Sequence, residues 1–195
     1  MGKSDITRLH ILRHAFQLVY KQGYQATSID EIIATTRVTK GAFFYHFKNK
    51  DAMGLAMVRE VMYPGMQQAL ILPLSGSTDP VTDIYLMMKN LLFNNPFFEV
   101  KFGCPAINLI EEMATINKSF HNALSTLVTE WQAAIQASIN NGRASGTIRK
   151  NVHAGQVAHF ITAGYGGIRN MGKILGKPCY EVYLKELKSY LSSLH

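Results

Sequence analysis

The N-terminal part of the chain carries apolar residues at a helical period, separated by polar turns. In the first stretch they recur every three or four positions: Ile6, Leu9, Leu12, Phe16 and Val19. This spacing predicts a helix over residues 5–22, with Gly23 as its C-terminal stop. Ser28 and Glu31 then have the spacing of a capping box, which predicts the start of a short second helix.

A tight turn and two more helices follow. The letters TTRV predict the turn, and Thr39 can cap a third helix of roughly 39–46. A fourth helix is predicted over 50–63, where Pro64-Gly65 should kink or end it because proline lacks an amide N–H. A helix, a short helix, a tight turn and another short helix form the pattern of a helix-turn-helix motif.

The rest of the chain shows only helical periodicity, with no convincing strand alternation. A linker is predicted at 72–80, and helices are predicted at 81–95, 104–114, 117–141, 153–175 and 180–194. The expected fold is therefore all-α. It has an N-terminal three-helix helix-turn-helix DNA-binding domain (1–50) and a larger helical ligand-binding and dimerisation domain (51–195), linked by helix 50–63.

Positive charge is concentrated in the smaller predicted domain. The 195-residue chain has a net charge of +7. Residues 1–50 contain 8 Lys and Arg against 3 Asp and Glu, whereas residues 51–195 contain 12 against 10. This asymmetry favours an anionic partner for the N-terminal part, with nucleic acid as the first candidate.

The stretch VTKGAFFYHFKNK combines aromatic rings with lysines. Phe43 and Phe47 are four residues apart and should share the buried face of the third helix. The remaining surface then holds Lys40, Ala42, Phe44, Tyr45 and His46. Such side chains can contact base edges or phosphates, and Lys48 and Lys50 flank the start of the next helix. The alternative is a helical hairpin with solvated lysines.

The segment GYQATSIDEIIATTRVTKGAFFYHFKNKDAM resembles the DNA-binding domain of the TetR/AcrR family. The resemblance implies that Thr27 and Ser28 contact the DNA backbone. It also implies base or phosphate contacts for Thr39, Lys40, Gly41 and Ala42, and phosphate contacts for Tyr45, His46 and Lys50. Two positions depart from the family pattern. Phe44 replaces its usual tyrosine, and Arg37 replaces its turn glycine and adds a cation.

The same resemblance implies an effector-binding and dimerisation role for the C-terminal helices. The last two helices would pair with those of a second subunit, giving a homodimer that reads two DNA half-sites. A stripe in 180–194 suits such pairing: Tyr183, Leu187, Tyr190 and Leu194. Packing within one chain is the alternative interpretation of these positions.

Cys104 lies at the predicted start of a helix, where backbone N–H groups favour an ionised thiol. Its GC context resembles the NemR-type repressors, which implies a sensor pair of Cys104 and Lys173. The alternative is a buried cysteine that acts as a small hydrophobe. For a non-covalent effector, the candidate pocket residues are Phe97, Phe98, Phe102 and Trp131.

Other classes of protein have little support. We expect no membrane span, no cofactor, no metal site and no catalytic constellation, and the two cysteines indicate a reducing cytoplasm. The predicted function is a homodimeric repressor released from double-stranded operator DNA by a small molecule or by thiol modification. The alternatives are a helical small-molecule-binding protein or enzyme with a basic N-terminal region, and an architectural DNA binder without an effector.

Overall fold

The computed structural model describes residues 2–195, of which 78% are helical, and no strand occurs among them. The all-α fold class is therefore confirmed. The α-helices are α1 (Lys3–Gln22), α2 (Ile29–Thr36), α3 (Lys40–His46), α4 (Lys50–Met57), α5 (Tyr63–Met66), α6 (Pro80–Lys89), α7 (Pro105–Met113), α8 (Lys118–Ser145), α9 (Ala154–Leu175) and α10 (Pro178–Ser192).

Of the two outcomes predicted at Pro64-Gly65, a kink or an end of the fourth helix, the end does not occur. The chain stays helical from Lys50 to Leu74, because π-helical turns flank α5 at Val58–Met62 and Gln67–Ile71. A π-helical turn shifts the hydrogen-bond register, so the helix can continue past a proline, which has no backbone N–H to donate. The predicted linker is correspondingly shorter, because Leu72–Leu74 forms a 3₁₀ turn and Leu74 is buried.

The described chain divides into two compact units. One comprises the chain up to Gly65 together with Pro105–Ser125, and the other comprises Met66–Cys104 together with Thr126–His195. We call them unit 1 and unit 2. The functional boundary at residue 50 remains a prediction.

Unit 1 is built around α1, which packs against α2, α4 and α7. Its core is apolar and includes Ile11, Leu12, Ile32, Phe43, Phe47 and Met53. The burial of Phe43 and Phe47 is confirmed, so the rings of α3 hold it on the core. Gly54 allows a close approach, since a Cβ there would lie 2.7 Å from atoms of both Tyr24 and Phe120.

The core of unit 2 lies among α6, α9, α10 and the C-terminal part of α8. An apolar stripe along α8 is buried at every position: Phe120, Leu124, Leu127, Trp131, Ile135 and Ile139. The first two of these belong to unit 1. Two glycines of α9 admit rings of α10, because a Cβ on Gly164 or Gly172 would clash with Tyr183 or Tyr180.

Candidate functional sites

The helix-turn-helix of unit 1 is held by local hydrogen bonds that the sequence predicted. Ser28 caps α2: its hydroxyl accepts from the Glu31 amide at 3.2 Å, and its own amide donates to the Glu31 carboxylate at 2.7 Å. Thr39 caps α3 by accepting from the Ala42 amide at 3.1 Å. The capping box and the second cap are therefore confirmed.

Arg37 lies in the turn between α2 and α3 with φ 56° and ψ 20°. It is the one non-glycine residue with positive φ among residues 2–195. A left-handed conformation costs an L-residue about 1–2 kcal/mol, which explains why glycine suits this turn. The exposed Arg37 side chain adds a cation beside α3.

Most of the candidate DNA-contacting residues lie on one exposed, cationic stretch of unit 1. The exposed members are Ser28, Arg37, Thr39, Lys40, Gly41, Phe44, Tyr45 and Lys48, while Ala42 and His46 are half-buried. Tyr45 is the most prominent aromatic, with 78% of its surface exposed. Lys40 forms an exposed ion pair with Asp30 at 3.1 Å, which solvent screens and a phosphate can replace.

Thr27 does not belong to this surface, contrary to its predicted contact with the DNA backbone. The residue is only 1% exposed, and its hydroxyl donates to the Gly23 carbonyl at 2.7 Å. The side chain therefore stabilises the turn between α1 and α2.

Lys50 is also partly engaged within the fold. Its ammonium lies 4.6 Å from the centre of the Tyr24 ring and donates to the Gln25 carbonyl at 3.3 Å. Partial burial lowers the pKa of this ammonium, although the nearby carboxylates oppose that shift.

Arg8 is a positioning residue that the sequence analysis missed. Its guanidinium pairs with Glu60 at 2.6 Å, donates to the His46 carbonyl at 3.1 Å and lies 4.6 Å from the centre of the Phe47 ring. Arg8 thus fixes the C-terminal end of α3. Its position one residue before Leu9 of the apolar stripe gave no signal of this role.

Glu112 of α7 binds the turn that follows α1. Its two carboxylate oxygens accept the amides of Tyr24 and Gln25 at 3.0 and 2.9 Å. Nearby, Asp51 accepts from the Tyr24 hydroxyl at 2.8 Å and from the Asn117 side-chain amide at 3.1 Å. These contacts attach α7 and the start of α8 to the helix-turn-helix within unit 1.

The candidate sensor residues of unit 2 lie near each other. Cys104 is buried and immediately precedes α7. Lys173 is exposed, and its Cε would clash with a Cβ at Gly103, so its stem passes beside the residue that precedes Cys104. Cys179 donates to the Gly176 carbonyl at 3.1 Å, and burial raises the pKa of its thiol, which disfavours reaction there.

The aromatic candidates differ in environment. Phe97 is 74% exposed, so it does not line an interior pocket as predicted. Phe102 is half-buried beneath the Lys101 ammonium.

Trp131 is buried and packs edge-on against Tyr165 with ring centres 5.2 Å apart. Phe98 is half-buried, and its ring faces the guanidinium of Arg169.

Arg169 is the residue of unit 2 that the sequence analysis missed most clearly. It is 1% exposed, and its guanidinium donates to the Gly103 carbonyl. A signal was available in the sequence, because Ile161, Tyr165 and Arg169 follow one another at intervals of four residues along α9. An arginine on a buried helical face is unusual.

Two absences concern the described residues only. No group of three or more His, Cys, Asp or Glu side chains in residues 2–195 is placed to hold a metal ion. None of the helices in this part of the chain has the length and apolarity that crossing a membrane requires.

Comparison with known proteins identifies the family. The family model of bacterial regulatory proteins of the tetR family matches residues 11–57, and that of tetracyclin repressor-like C-terminal domains matches residues 92–185. The two matches together cover more than two thirds of the chain. The chain belongs to the TetR family. It is a DNA-binding transcriptional regulator, and TetR-family regulators are typically homodimers that respond to ligands.

Relatives and solved structures agree with this assignment. The transcriptional regulator AcuR of Cereibacter sphaeroides is 24% identical over 181 residues, covering 91% of this chain and 82% of that protein. The HTH-type transcriptional repressor NemR of Escherichia coli K12 is 25% identical over 140 residues, covering 70% and 69%. A TetR-family regulator of Cytophaga hutchinsonii superposes with a TM-score of 0.89 over 100% of this chain and 98% of that one. Its 17% identity shows a shared fold alone.

Proposed function

We propose that this TetR-family protein is a homodimeric repressor that leaves its operator when a small molecule binds unit 2 or when a thiol there is modified. The observation that carries the proposal is the exposed, cationic surface of α3, held on the core by the buried rings of Phe43 and Phe47. Operator binding of this kind places the protein in the cytoplasm.

In the proposed complex, α3 enters the major groove and its N-terminal residues approach the base edges. Lys40 exchanges its ion pair with Asp30 for a base or phosphate contact. Gly41 has no fold-related requirement for glycine, since a Cβ there would meet only the Thr39 hydroxyl at 4.0 Å. Its small size instead allows close approach to DNA. Tyr45 and Lys48 contact phosphates from the exposed side.

Ser28 and Thr39 flank this groove contact as the N-caps of α2 and α3, where backbone amides attract phosphate, and Arg37 adds an exposed cation at the C-cap of α2. His46 and Phe44 contribute at the edge of the same surface, because each is at least partly exposed. Lys50 contacts phosphate only if its ammonium leaves the Gln25 carbonyl. Thr27 is excluded from the proposed surface by its burial.

The dimer forms through α9 and α10, which carry exposed apolar side chains in unit 2: Phe160, Met171, Ile174, Leu175 and Val182. Ile174 is 86% exposed, so burial against a second subunit would remove its apolar surface from water. Of the stripe predicted for this interface, Leu187 and Leu194 are already buried within the chain, so a neighbouring face of α10 makes the contact.

The signal passes through α7, whose first residue follows Cys104 directly. A ligand or a modified thiol in unit 2 that displaces the start of α7 also moves Glu112. Because Glu112 holds the amides of Tyr24 and Gln25, the helix-turn-helix would shift with it. Cys104 and Lys173 remain the proposed pair for a thiol signal.

A band-shift titration with duplex DNA from the region upstream of the chain's own gene tests operator binding. We expect Lys40→Ala to weaken specific binding by about 1–3 kcal/mol. Lys21→Ala is the matched control, because Lys21 is exposed in the last turn of α1 and lies outside the proposed surface. Equal binding of cognate and random duplexes, or a monomeric protein, would contradict the proposal.

Alkylation with N-ethylmaleimide tests the thiol signal separately. If Cys104 is the sensor, alkylation releases the wild-type protein from the operator and leaves Cys104→Ser bound. Cys179→Ser serves as the control and should behave like wild type, because Cys179 is engaged with the Gly176 carbonyl. A wild-type complex that survives complete alkylation of Cys104 removes the thiol mechanism and leaves ligand binding.

A further inference from the structure

Arg169 is a buried cation that lies among aromatic rings inside unit 2. It is 1% exposed, and its Cζ lies 5.3 Å from the centre of the Phe98 ring and 5.7 Å from that of Tyr180. Phe98 covers it from the segment before Val100–Phe102, and Tyr180 covers it from α10. These ring faces stabilise a guanidinium only in part.

No carboxylate balances this charge. The ion pairs of Arg8 with Glu60, Lys40 with Asp30 and Lys101 with Glu99 do not involve Arg169. One terminal nitrogen of Arg169 donates to the Gly103 carbonyl, but its Nε has no hydrogen-bond partner. Arginine does not lose its proton in proteins, so the cost of burying the charge is not avoided by neutralisation.

A second buried donor belongs to the same cluster. The indole Nε1 of Trp131 is buried without an acceptor, and the Trp131 ring packs against Tyr165. Burial raises the pKa of the Tyr165 phenol well above its ordinary value, the Cys104 thiol adds to the shift and the Arg169 guanidinium opposes it. Tyr165 therefore lies within electrostatic range of Arg169 and connects it to Trp131. Unsatisfied buried donors in native proteins call for a partner.

We propose that this cluster binds a small monocarboxylate as the effector, with Arg169 as its counter-ion. A guanidinium offers a carboxylate two parallel N–H donors, and the free Nε is one member of such a pair. Arg169 carries one positive charge and so matches one negative charge, and Phe98, Tyr180 and Trp131 supply apolar contact for a short hydrocarbon chain. The proposal rests on the proposed function, because it names the chemical class of the effector.

The carboxylate reaches the Arg169 guanidinium when the Phe98 ring that covers it moves away. Phe98 lies in residues 95–99, which form no helix, and the neighbouring Phe97 is 74% exposed. The bound carboxylate would compete with the Gly103 carbonyl for the Arg169 donors. Gly103 precedes Cys104 and the start of α7, so loss of that bond acts on the segment from which α7 begins.

The test is a thermal-shift and calorimetric titration of the full-length protein with saturated monocarboxylates of two to six carbons and with their matched primary amides. Saturated acids are not electrophiles, so a response to them does not come from thiol modification. We expect at least one carboxylate to raise Tm by about 3 °C at ten times its Kd, and its amide to have no effect.

Arg169→Met should abolish the response, since methionine keeps much of the side-chain volume but has neither charge nor donor. If Arg169→Met does not fold, Trp131→Phe is the second variant. It retains a buried ring but lacks the indole donor, so it should bind the carboxylate several-fold more weakly than wild type. Arg59→Met is the matched control, since Arg59 is exposed in unit 1 and should leave the response unchanged.

Three results would overturn the proposal: no stabilisation by any carboxylate of the panel, equal stabilisation by acid and amide, or an unchanged response in Arg169→Met. Slower alkylation of Cys104 in Arg169→Met, without any carboxylate effect on wild type, would identify the thiolate as the anion and would also overturn it. Operator binding by the ligand-free wild-type protein, measured on the same preparation, reports on the proposed function independently.

Discussion

The α3 surface of unit 1 and the Arg169 cluster of unit 2 both hold positive charge, but they differ in solvation. Lys40, Tyr45 and Lys48 are exposed, and the ion pair between Lys40 and Asp30 is open to solvent. Arg169 is buried beneath two rings with its Nε unsatisfied. An exposed set of charges suits a long polyanion that displaces counterions, whereas a buried charge suits one small anion that replaces missing hydrogen bonds.

Salt should separate the two sites most strongly. We expect operator affinity to fall by about 10³-fold between 50 and 200 mM KCl, because a dimer that neutralises several phosphates releases as many counterions. Carboxylate affinity should change by less than about threefold, because buried charges are screened little. Fluorescence anisotropy with labelled operator and calorimetry with the acid measure the two slopes. Parallel slopes would remove the distinction between the sites.

Two glycine substitutions should damage one unit each. Gly54→Ala places a Cβ against Tyr24 and Phe120 in unit 1, and Gly172→Ala places one 2.5 Å from the Tyr180 ring in unit 2. Overpacking of this kind costs about 1–3 kcal/mol of unfolding free energy. Urea unfolding measures the loss, which should accompany weaker operator binding for Gly54→Ala and weaker carboxylate binding for Gly172→Ala.

The controls for this pair are Gly65→Ala and Gly155→Ala, since neither added Cβ would meet an atom within 4 Å. Both controls should be neutral or slightly stabilising, because alanine is the better helix former. Loss of stability in the controls as large as in the test variants would show that the close contacts are not the cause.

Arg37→Gly should separate stability from DNA binding within unit 1. Relief of the positive φ should raise the unfolding free energy by about 0.5–1 kcal/mol, after the larger backbone entropy of glycine is subtracted. Operator affinity should fall, because a cation beside α3 is lost. Chemical denaturation and band shifts give the two values, and Arg37→Asn provides a residue that tolerates the same φ without the charge. A variant that loses stability would show that the Arg37 side chain contributes contacts that outweigh its backbone strain.

The smallest effect concerns the capping box of α2. The Glu31 carboxylate accepts hydrogen bonds from the Ser28 amide and from the Ser28 hydroxyl. Both lower the pKa of Glu31 below its ordinary value, and the amide has the larger effect. The stability from this carboxylate is therefore fully present above the unfolded pKa of about 4.3 and is lost as pH falls through the lower folded pKa. Urea unfolding of wild type and Glu31→Gln should differ at neutral pH and converge in acid. A difference that persists at the lowest pH would show that ionisation is not responsible.

In unit 1, the helix starts could be predicted from local sequence patterns. Ser28 with Glu31, and Thr39 before α3, identified the helix starts because a cap and its amides lie within a few residues of each other. The long helix α8 was also predicted, and its buried residues follow the helical period. Thr27 was assigned to the DNA surface from its position in the family pattern. That pattern does not specify the turn that buries its side chain.

Long-range partners could not be predicted in the same way. Glu112 meets Tyr24 and Gln25 across 88 and 87 positions of sequence, and Arg169 meets Gly103 across 66. The helix does not end at Pro64-Gly65 for a related reason, since a rule for single prolines does not include the π-helical turns on either side. The functional boundary and the individual DNA contacts remain predictions.

The sequence by itself determined the helical class, the positions of the helix-turn-helix and its caps, and the placing of cationic side chains on the free face of α3. These features depend on period and on neighbours within one turn, which the order of residues specifies directly. The tertiary structure alone decided that Glu112 holds the turn after α1 and that Arg169 lies without a carboxylate among aromatic rings. Such features depend on which distant segments pack together, and the energy of a buried charge is set by those neighbours.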